Sequence, residues 1–577
     1  MPAGQRRVFL LSVTPNGDRM AGILENSLPP LGYSVQARHS GSGSSVRDAI
    51  EEAFVSYDAI VLFMAIGGAV RYISRYTVDK LSDPAVVCVD DSGRFAVPVL
   101  SGHSASANEL AEDIAGILNA TPVITTATDS LGRESIEGIA ERLLCSIPDR
   151  ESIIRANAEI VRGRRVAVRN PSGLRRKRVA AYSGKVAGDS IELVISKERP
   201  ETGHWLLPYR ISIGLGYTRG ATVADVEDAI RAFLEEHDLG VEDIDVVTSA
   251  KEDSVAEEAS KSLGIRFERI GMERVKEFDA SRLSSTSHMA QEALGIPGMS
   301  EPCALLALGP TSRILFPKES FHSKVTVAAA FAHRPSGHGK VYFIGVGPSG
   351  PEYLTEAARV AIARSDVVAG YSTPLSVVKP LLRNKYVITV RWKEQATSIS
   401  EVKRLFREGH KISFLFTGDS CFSEGELISR FLDEVDRYEV IPGISSVQVA
   451  SAKSMFPLEV CSVISFHVTG PLNQRKESLR SVLEKGGCAL VLPRPYDFMP
   501  REVSRYLVES GIPPDLPVRI MENLTRGDER ITDCTIGSVP DRQYSDLCIM
   551  ALGRSPLPLD YILSGSGQEQ PADVKNK

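Results

Sequence analysis

Three glycine-bearing turns in the C-terminal half of this 577-residue chain could hold a small charged ligand. The run Gly345-Val-Gly347-Pro348-Ser-Gly350 follows an apolar stretch, Val341 to Ile344, and leads into a helical pattern from Leu354 to Ala363. Glycines there let backbone N–H groups approach a ligand closely, and the start of the next helix favours a carboxylate or phosphate. A G-x-G turn opens many α/β units, so this one decides nothing alone. Two further junctions of an apolar run with a polar turn accompany it, Phe414-Leu-Phe-Thr417-Gly418-Asp419 and Val440-Ile-Pro442-Gly443-Ile444-Ser445-Ser446. Each serine reads equally well as a helix N-cap.

The N-terminal half holds no G-x-S-x-G elbow, H-E-x-x-H or Cys/His pairing. Its chemistry is sought instead at the carboxyl ends of strands, where α/β sheets place ligands. Three such segments are polar and contain glycine or threonine: Met64 to Arg71, Leu100 to His103 with Asn108 and Glu109, and Ile124-Thr125-Thr126-Ala-Thr128-Asp129. His103 and Glu109 are the proton acceptors, although a His beside Gly102 reads equally as a loop or cap residue. Arg71, Lys80 and Arg219 are cations for ligand carboxylates, lone surface Arg or Lys being the commoner explanation of any one. Lys251-Glu252-Asp253 reads either as a solvated charged turn or as part of a site completed between domains.

The elements that must position these groups are short apolar strands alternating with helical periods: Val8 to Val13, Ala59 to Phe63, Val86 to Val89, Phe95 to Leu100 and Pro122 to Ile124, with an amphipathic helix from Ala105 to Leu118. That alternation predicts βαβ units and mainly parallel sheets. The stretch from Ile153 to Leu207 is Arg-rich, with few long helical periods. A new α/β unit follows, with strands expected at Ile211 to Leu215, Asp245 to Thr248 and Leu305 to Leu308, and HRPSGHGK (His333 to Lys340) is the clearest joint. The fold class is therefore multidomain α/β. Boundaries fall at 1–148, 149–208, 209–333, a linker 334–340, 341–440, 441–562 and a disordered tail 563–577.

Hydrophobic residues make up 43% and charged residues 24%, the proportions of a globular protein. A net charge of -6 gives no field for nucleic acid or an anionic membrane. Eight scattered cysteines without a C-x-x-C pair give no metal site and read as reduced thiols. No apolar stretch approaches the roughly 20 residues a spanning helix needs, and a cytoplasmic protein is expected.

The three C-terminal turns, in their order and spacing, resemble the tetrapyrrole methyltransferase family over about Lys340 to Arg554. VIPGISSVQVA (Val440 to Ala450) and ENLTRGDERI (Glu522 to Ile531) are most similar to its cobalt-precorrin-7 (C-5) members. Ser420 and Cys421 stand where the family carries Pro after Gly-Asp. The resemblance implies a two-lobed fold with S-adenosylmethionine as cosubstrate, held by Gly345, Gly347, Pro348, Thr417, Gly418, Asp419, Ser445 and Ser446. Methyl transfer asks little of acids or bases, because the sulfonium is already activated, and positioning dominates.

Residues 58–140, with Gly214 to Gly220, Ser249 to Asp253, Ser285 to Ser287 and Lys324 to Val327, resemble the cobalt-precorrin-5A hydrolases. Ser104-Ala105-Ser106 replaces expected glycines, and His288 follows Ser287. This resemblance implies Rossmann-like domains that open a lactone on a corrin precursor and release acetaldehyde. Such chemistry needs an activated water. His103 and Glu109, then Asp129 and Glu252, are the base candidates, with Arg71, Lys80, Arg219, Thr125 and Thr126 for the substrate. Together the resemblances imply a bifunctional enzyme of anaerobic corrin synthesis, with cobalt present only inside the substrate. A homodimer through the methyltransferase half, contacts with other corrin-pathway enzymes, methylation at C-11 or C-17, and a carrier with one inactive half stay open.

Overall fold

In a computed structural model the chain divides into two compact units, one running through residue 338 and taking in 380–386 and 408–410, the other holding the remaining C-terminal residues. The structure describes residues 6–554 apart from 42, 44, 78–82, 103–105, 126–132, 183–189, 336, 338, 384, 423–424 and 469.

The first sheet orders β2 (Tyr33–Arg38), β1 (Arg6–Ser12), β3 (Ala59–Phe63), β4 (Ala85–Val89), β5 (Phe95–Leu100) and β6 (Thr121–Pro122). β3 and β4 are buried along their whole length, as apolar strands covered on both faces must be. The helix Ala107–Leu118 buries Ala107, Leu110, Ala111, Ile114 and Ala115, one stripe at helical spacing. β1 to β4 are parallel, but β5 turns back on β4. The Asp90 carboxylate causes the reversal by accepting from the amides of Arg94 (2.8 Å) and Phe95 (2.7 Å), with Gly93 at φ +67° between them. β6 runs parallel to β5. The carboxyl ends of β5 and β6 therefore lie at the sheet edge opposite those of β1, β3 and β4. The sheet is otherwise parallel as expected, the β4–β5 pairing being its one antiparallel step, and β5 is half-exposed over most of its length.

A four-stranded sheet follows, β7 (Cys145–Ser146), β10 (His204–Pro208), β9 (Ser190–Ile195) and β8 (Arg165–Arg169), packed with a twelve-residue helix, Arg150–Val161, longer than the sequence pattern there predicts. The third sheet orders β13 (Phe267–Arg269), β12 (Val246–Ser249), β11 (Arg210–Tyr217), β15 (Val325–Ala332) and β14 (Arg313–Phe321), with β11 to β13 parallel and β14 and β15 antiparallel. Leu305 to Leu308 closes the helix Ser300–Leu308 and is not a strand. A short, wholly apolar run carries no period to separate the two. That helix lies against Gly214, where a Cβ would stand 1.9 Å from the Ser300 carbonyl oxygen. Gly214 and Gly216 thus sit inside a strand and admit a helix, rather than forming a ligand turn.

In the second unit one lobe orders β18 (Tyr386–Thr389), β17 (Val367–Gly370), β19 (Lys411–Phe416), β16 (Lys340–Gly345) and β20 (Tyr438–Ile441), with β16, β17, β19 and β20 parallel. The other orders β21 (Cys461–Ser465), β22 (Cys488–Leu492), β25 (Cys548–Leu552), β23 (Pro517–Glu522) and β24 (Arg530–Thr535). β21 and β22 are parallel, and β25 is antiparallel to both β22 and β23.

Candidate functional sites

The carboxyl ends of β16, β19 and β20 bring the three glycine-bearing turns into contact. Gly347 and Gly418 exchange backbone hydrogen bonds of 3.2 and 2.7 Å. A Cβ at Gly345 would stand 2.5 Å from the Gly418 carbonyl oxygen, and one at Gly443 2.2 Å from the same atom, so neither position admits a side chain without displacing backbone. Gly347, at φ +86°, faces Tyr353. Asp419 ties two turns together: one carboxylate oxygen accepts from the Gly443 amide at 3.0 Å, the other from Cys421 at 2.9 Å. Ser420 is fully buried and directs its hydroxyl to the Ile441 carbonyl, 3.4 Å. The departure from the family's Pro is thus absorbed inside the lobe.

Ser445 is the N-cap of the helix Ser446–Ser454, accepting from Val447 N at 3.2 Å, while Gln448 closes a capping box. The capping reading therefore describes its side chain. Thr417 and Ser446 are half-buried beside these turns, and Pro348 is buried. The turns also face the second lobe, because Tyr353, Phe422 and Ile444 pack on a cluster containing Val447, Leu490, Met521 and Leu524.

In the first unit the edge at the ends of β5 and β6 carries Ser101, Asn108, Glu109 and Thr125 of the segments singled out above. Ser101, buried and at φ +58°, donates to the Asp83 carbonyl at 3.2 Å. Ser106, at φ +51°, precedes the helix that carries buried Asn108 and exposed Glu109. Two non-glycine residues in the left-handed region within six positions store strain, which gathers at functional sites. The chain through exposed Thr125 continues along β5 to this edge, with Val123 N bonded to Ala96 O at 2.9 Å. His103, Lys80, Thr126 and Asp129 lie outside the described residues. Arg71 lies elsewhere: it is exposed on the helix Ile66–Ile73, which follows the carboxyl end of β3 at the opposite edge. The reversal of β5 separates it from Glu109.

Sequence reasoning missed Arg6. Its guanidinium donates to the Ser106 carbonyl at 3.1 Å, while Nε and one terminal nitrogen are inaccessible and without a hydrogen-bond partner among the described residues. Burial lowers its pKa, against the raising influence of Tyr33, Asp58 and Glu109. The only signal was the basic pair Arg6-Arg7, which opens the first strand.

The third sheet collects a second polar group at the carboxyl ends of β11, β12 and β13. The Tyr217 hydroxyl donates to Asp253 at 2.6 Å, Lys251 Nζ stands 5.5 Å from the Tyr217 ring, and Arg269 donates to the carbonyls of Lys251 and Asp253. Lys251-Glu252-Asp253 is thus a pinned turn, in which Glu252 is exposed, as is Arg219 after β11. Among the described residues no cluster of three or more His, Cys, Asp or Glu could hold a metal ion, and no helix is long and apolar enough to cross a membrane.

Fold and loops together define a multidomain α/β protein whose C-terminal unit brings three glycine-bearing turns together at the carboxyl ends of β16, β19 and β20. Residues 48–129 match the family model described as Cobalamin synthesis G N-terminal, 211–330 that described as Cobalamin synthesis G C-terminus, and 340–540 that of the Tetrapyrrole (Corrin/Porphyrin) Methylases. The chain is 29% identical over 309 residues to a cobalt-precorrin-5A hydrolase of Priestia megaterium, covering 49% of this chain and 82% of that one. Against the cobalt-precorrin-5A hydrolase of Salmonella typhimurium identity is 27% over 353 residues, 56% and 98% of the two chains. The C-terminal part is 29% identical over 216 residues to a "Probable cobalt-precorrin-7 C(5)-methyltransferase" of Methanocaldococcus jannaschii, covering 36% and 95%. The chain is a fusion of a part that matches the cobalamin synthesis G models with a part that matches the tetrapyrrole methylase model, and it is a bifunctional enzyme of cobalamin biosynthesis.

Proposed function

We propose that the N-terminal unit opens the lactone of cobalt-precorrin-5A with release of acetaldehyde, and that the C-terminal unit methylates C-5 of cobalt-precorrin-6B to give cobalt-precorrin-7. The observation that supports the second activity is the convergence of the three turns, in which a Cβ at Gly345 or Gly443 would strike the Gly418 carbonyl oxygen while Gly347 and Gly418 take positive φ. S-adenosylmethionine bound there supplies an activated methyl group on a sulfonium. The residues hold and orient: Gly345, Gly347 and Pro348 shape one wall, Thr417, Gly418 and Asp419 the second, and Ser445 and Ser446 present the start of a helix as the third. Asp419 fixes the spacing of two walls through its amide bonds. Preorganised positioning of this kind can lower a barrier by roughly 7–11 kcal/mol without an acid or base.

For lactone opening, the edge around Ser101, Asn108 and Glu109 supports the reading. Water adds to the lactone carbonyl and the ring C–O bond breaks, giving a carboxylate and a hydroxyl on the two-carbon arm. That hydroxyl then gives up its proton, the C–C bond joining the arm to the macrocycle breaks with its electron pair left on the macrocycle carbon, which is protonated, and the arm leaves as acetaldehyde. Glu109 with His103 takes the proton of the attacking water, with Asp129 and Glu252 as the remaining candidates. Lys80, Thr125, Thr126 and Arg219 are the residues assigned to substrate carboxylates, and Arg71, at the opposite edge of the sheet, is assigned to another group of the large substrate. The partners are cobalt-precorrin intermediates, with cobalt as part of the substrate, in a cytoplasmic enzyme. The test is acetaldehyde release from cobalt-precorrin-5A by the purified chain, which must proceed without S-adenosylmethionine.

A further inference from the structure

β21, β22 and β23 of the second lobe run in one direction, and their carboxyl ends form one edge. From Cys461 to Arg554 the described non-glycine residues with positive φ are Tyr496 (+76°), Asn523 (+50°) and Thr525 (+69°), and all three lie at that edge. Residues held in this region cost of order 1–3 kcal/mol each and persist where the surroundings over-determine them. For Asn523 and Thr525 the reason is visible: between them Leu524, 5% exposed, packs into the cluster that meets the methyl-donor turns.

Tyr496 has no such reason inside the fold, since 93% of it is exposed. Its turn is nonetheless rigid. Arg494 and Phe498 exchange backbone bonds of 3.1 and 3.2 Å, Arg494 forks onto Asp497, and Arg494 also donates to the Gly470 carbonyl at 2.9 Å on the loop after β21. The scaffold thus holds a large aromatic ring in solvent, on strained backbone. β25 alone separates β22 from β23, and adjacent strands stand about 4.8 Å apart. The start of the turn is therefore roughly 10 Å along the edge from the strand end that carries Leu524.

We propose that Tyr496 is a stacking platform for the flat face of the tetrapyrrole presented to the methyl donor. The platform rests on the methyltransferase reading above and deepens it by naming a substrate-binding residue. An exposed ring of this kind fits a broad, conjugated, planar ligand, and its pinned turn removes the ordering cost at binding.

The test uses the full chain with Tyr496→Gly and Tyr496→Phe. In Tyr496→Gly the KM for cobalt-precorrin-6B rises about tenfold, from loss of one aromatic contact. Its kcat, S-adenosylmethionine affinity and acetaldehyde release stay as in the wild type, and the melting temperature does not fall, because glycine accepts the left-handed backbone. Tyr496→Phe restores the wild-type KM. An unchanged KM in Tyr496→Gly overturns the platform, as does a change of oligomeric state by sedimentation, which would place the ring against a second copy. A wild-type chain that binds S-adenosylmethionine yet methylates no cobalt-precorrin overturns the underlying reading instead.

Discussion

Gly347 and Gly418 pair as a two-residue antiparallel bridge between the first two turns of the methyl-donor site. A Cβ on Gly347 would meet the Tyr353 Cβ and carbonyl oxygen, each at 2.9 Å, whereas one on Gly418 meets only Ser446 N at 3.7 Å and Ser445 Cα at 3.8 Å. Both glycines have positive φ. Gly347→Val should therefore abolish S-adenosylmethionine binding by calorimetry, while Gly418→Ala carries only the backbone strain of about 1–2 kcal/mol and retains measurable binding. Acetaldehyde release should be unaffected in both, because the two activities belong to separate compact units.

Arg175 and Asp243 form a fully buried pair, 2.9 Å apart, that fastens the small four-stranded domain to the third sheet. The Arg175 amide also donates to Asp243 at 2.6 Å, and its guanidinium to the Tyr209 carbonyl at 2.9 Å. Arg175→Met leaves a buried carboxylate without its cation, and a loss of about 3–5 kcal/mol is expected in urea unfolding of the first unit. The unfolding of the methyltransferase unit should not move.

Glu522, at the end of β23, is fully buried and accepts from Arg530 (3.1 Å), the Ser545 amide (3.0 Å) and Arg542 (3.1 Å). Burial alone would raise its pKa, but hydrogen bonds from Arg542 and Ser545 hold it below the usual carboxylate value. A depressed carboxylate adds stability that is complete above its unfolded pKa of about 4.3 and is lost as pH falls through the folded value. Glu522→Gln should flatten the acid limb of the pH–melting profile below about pH 4.5. A mutant profile parallel to the wild type would remove the pair from the acid response.

Glu109→Gln should lower acetaldehyde release about 10²- to 10⁴-fold, and His103→Ala likewise, with methylation unchanged in both. Arg71→Ala, at the opposite edge of the sheet, should raise KM without lowering kcat. Near-normal turnover in Glu109→Gln with a slightly lower melting point would make Glu109 a helix-end residue, and the role would pass to Asp129 or Glu252.

The glycines were legible in the sequence because Gly345 and Gly443 sit where backbone meets backbone and Gly418 takes a left-handed φ, demands that glycine meets best. Edges were not legible. The placement of Glu109 opposite Arg71 depends on a hairpin set by the Asp90 carboxylate, a contact that strand periodicity does not encode. Leu305 to Leu308 failed for a related reason, since a short, wholly apolar run shows no period. Arg6 and Tyr496 carry their meaning in burial and backbone strain, which only the tertiary structure supplies.

The central claim, two separate activities in one chain, is tested most directly by mass spectrometry of cobalt-precorrin-5A and cobalt-precorrin-6B incubated with the protein, with and without S-adenosylmethionine. The account predicts loss of the two-carbon fragment from the first substrate in both conditions. It predicts the gain of one methyl group, at C-5, on the second only when the donor is present. Fragment loss that requires the donor, or methylation of neither substrate, would contradict it.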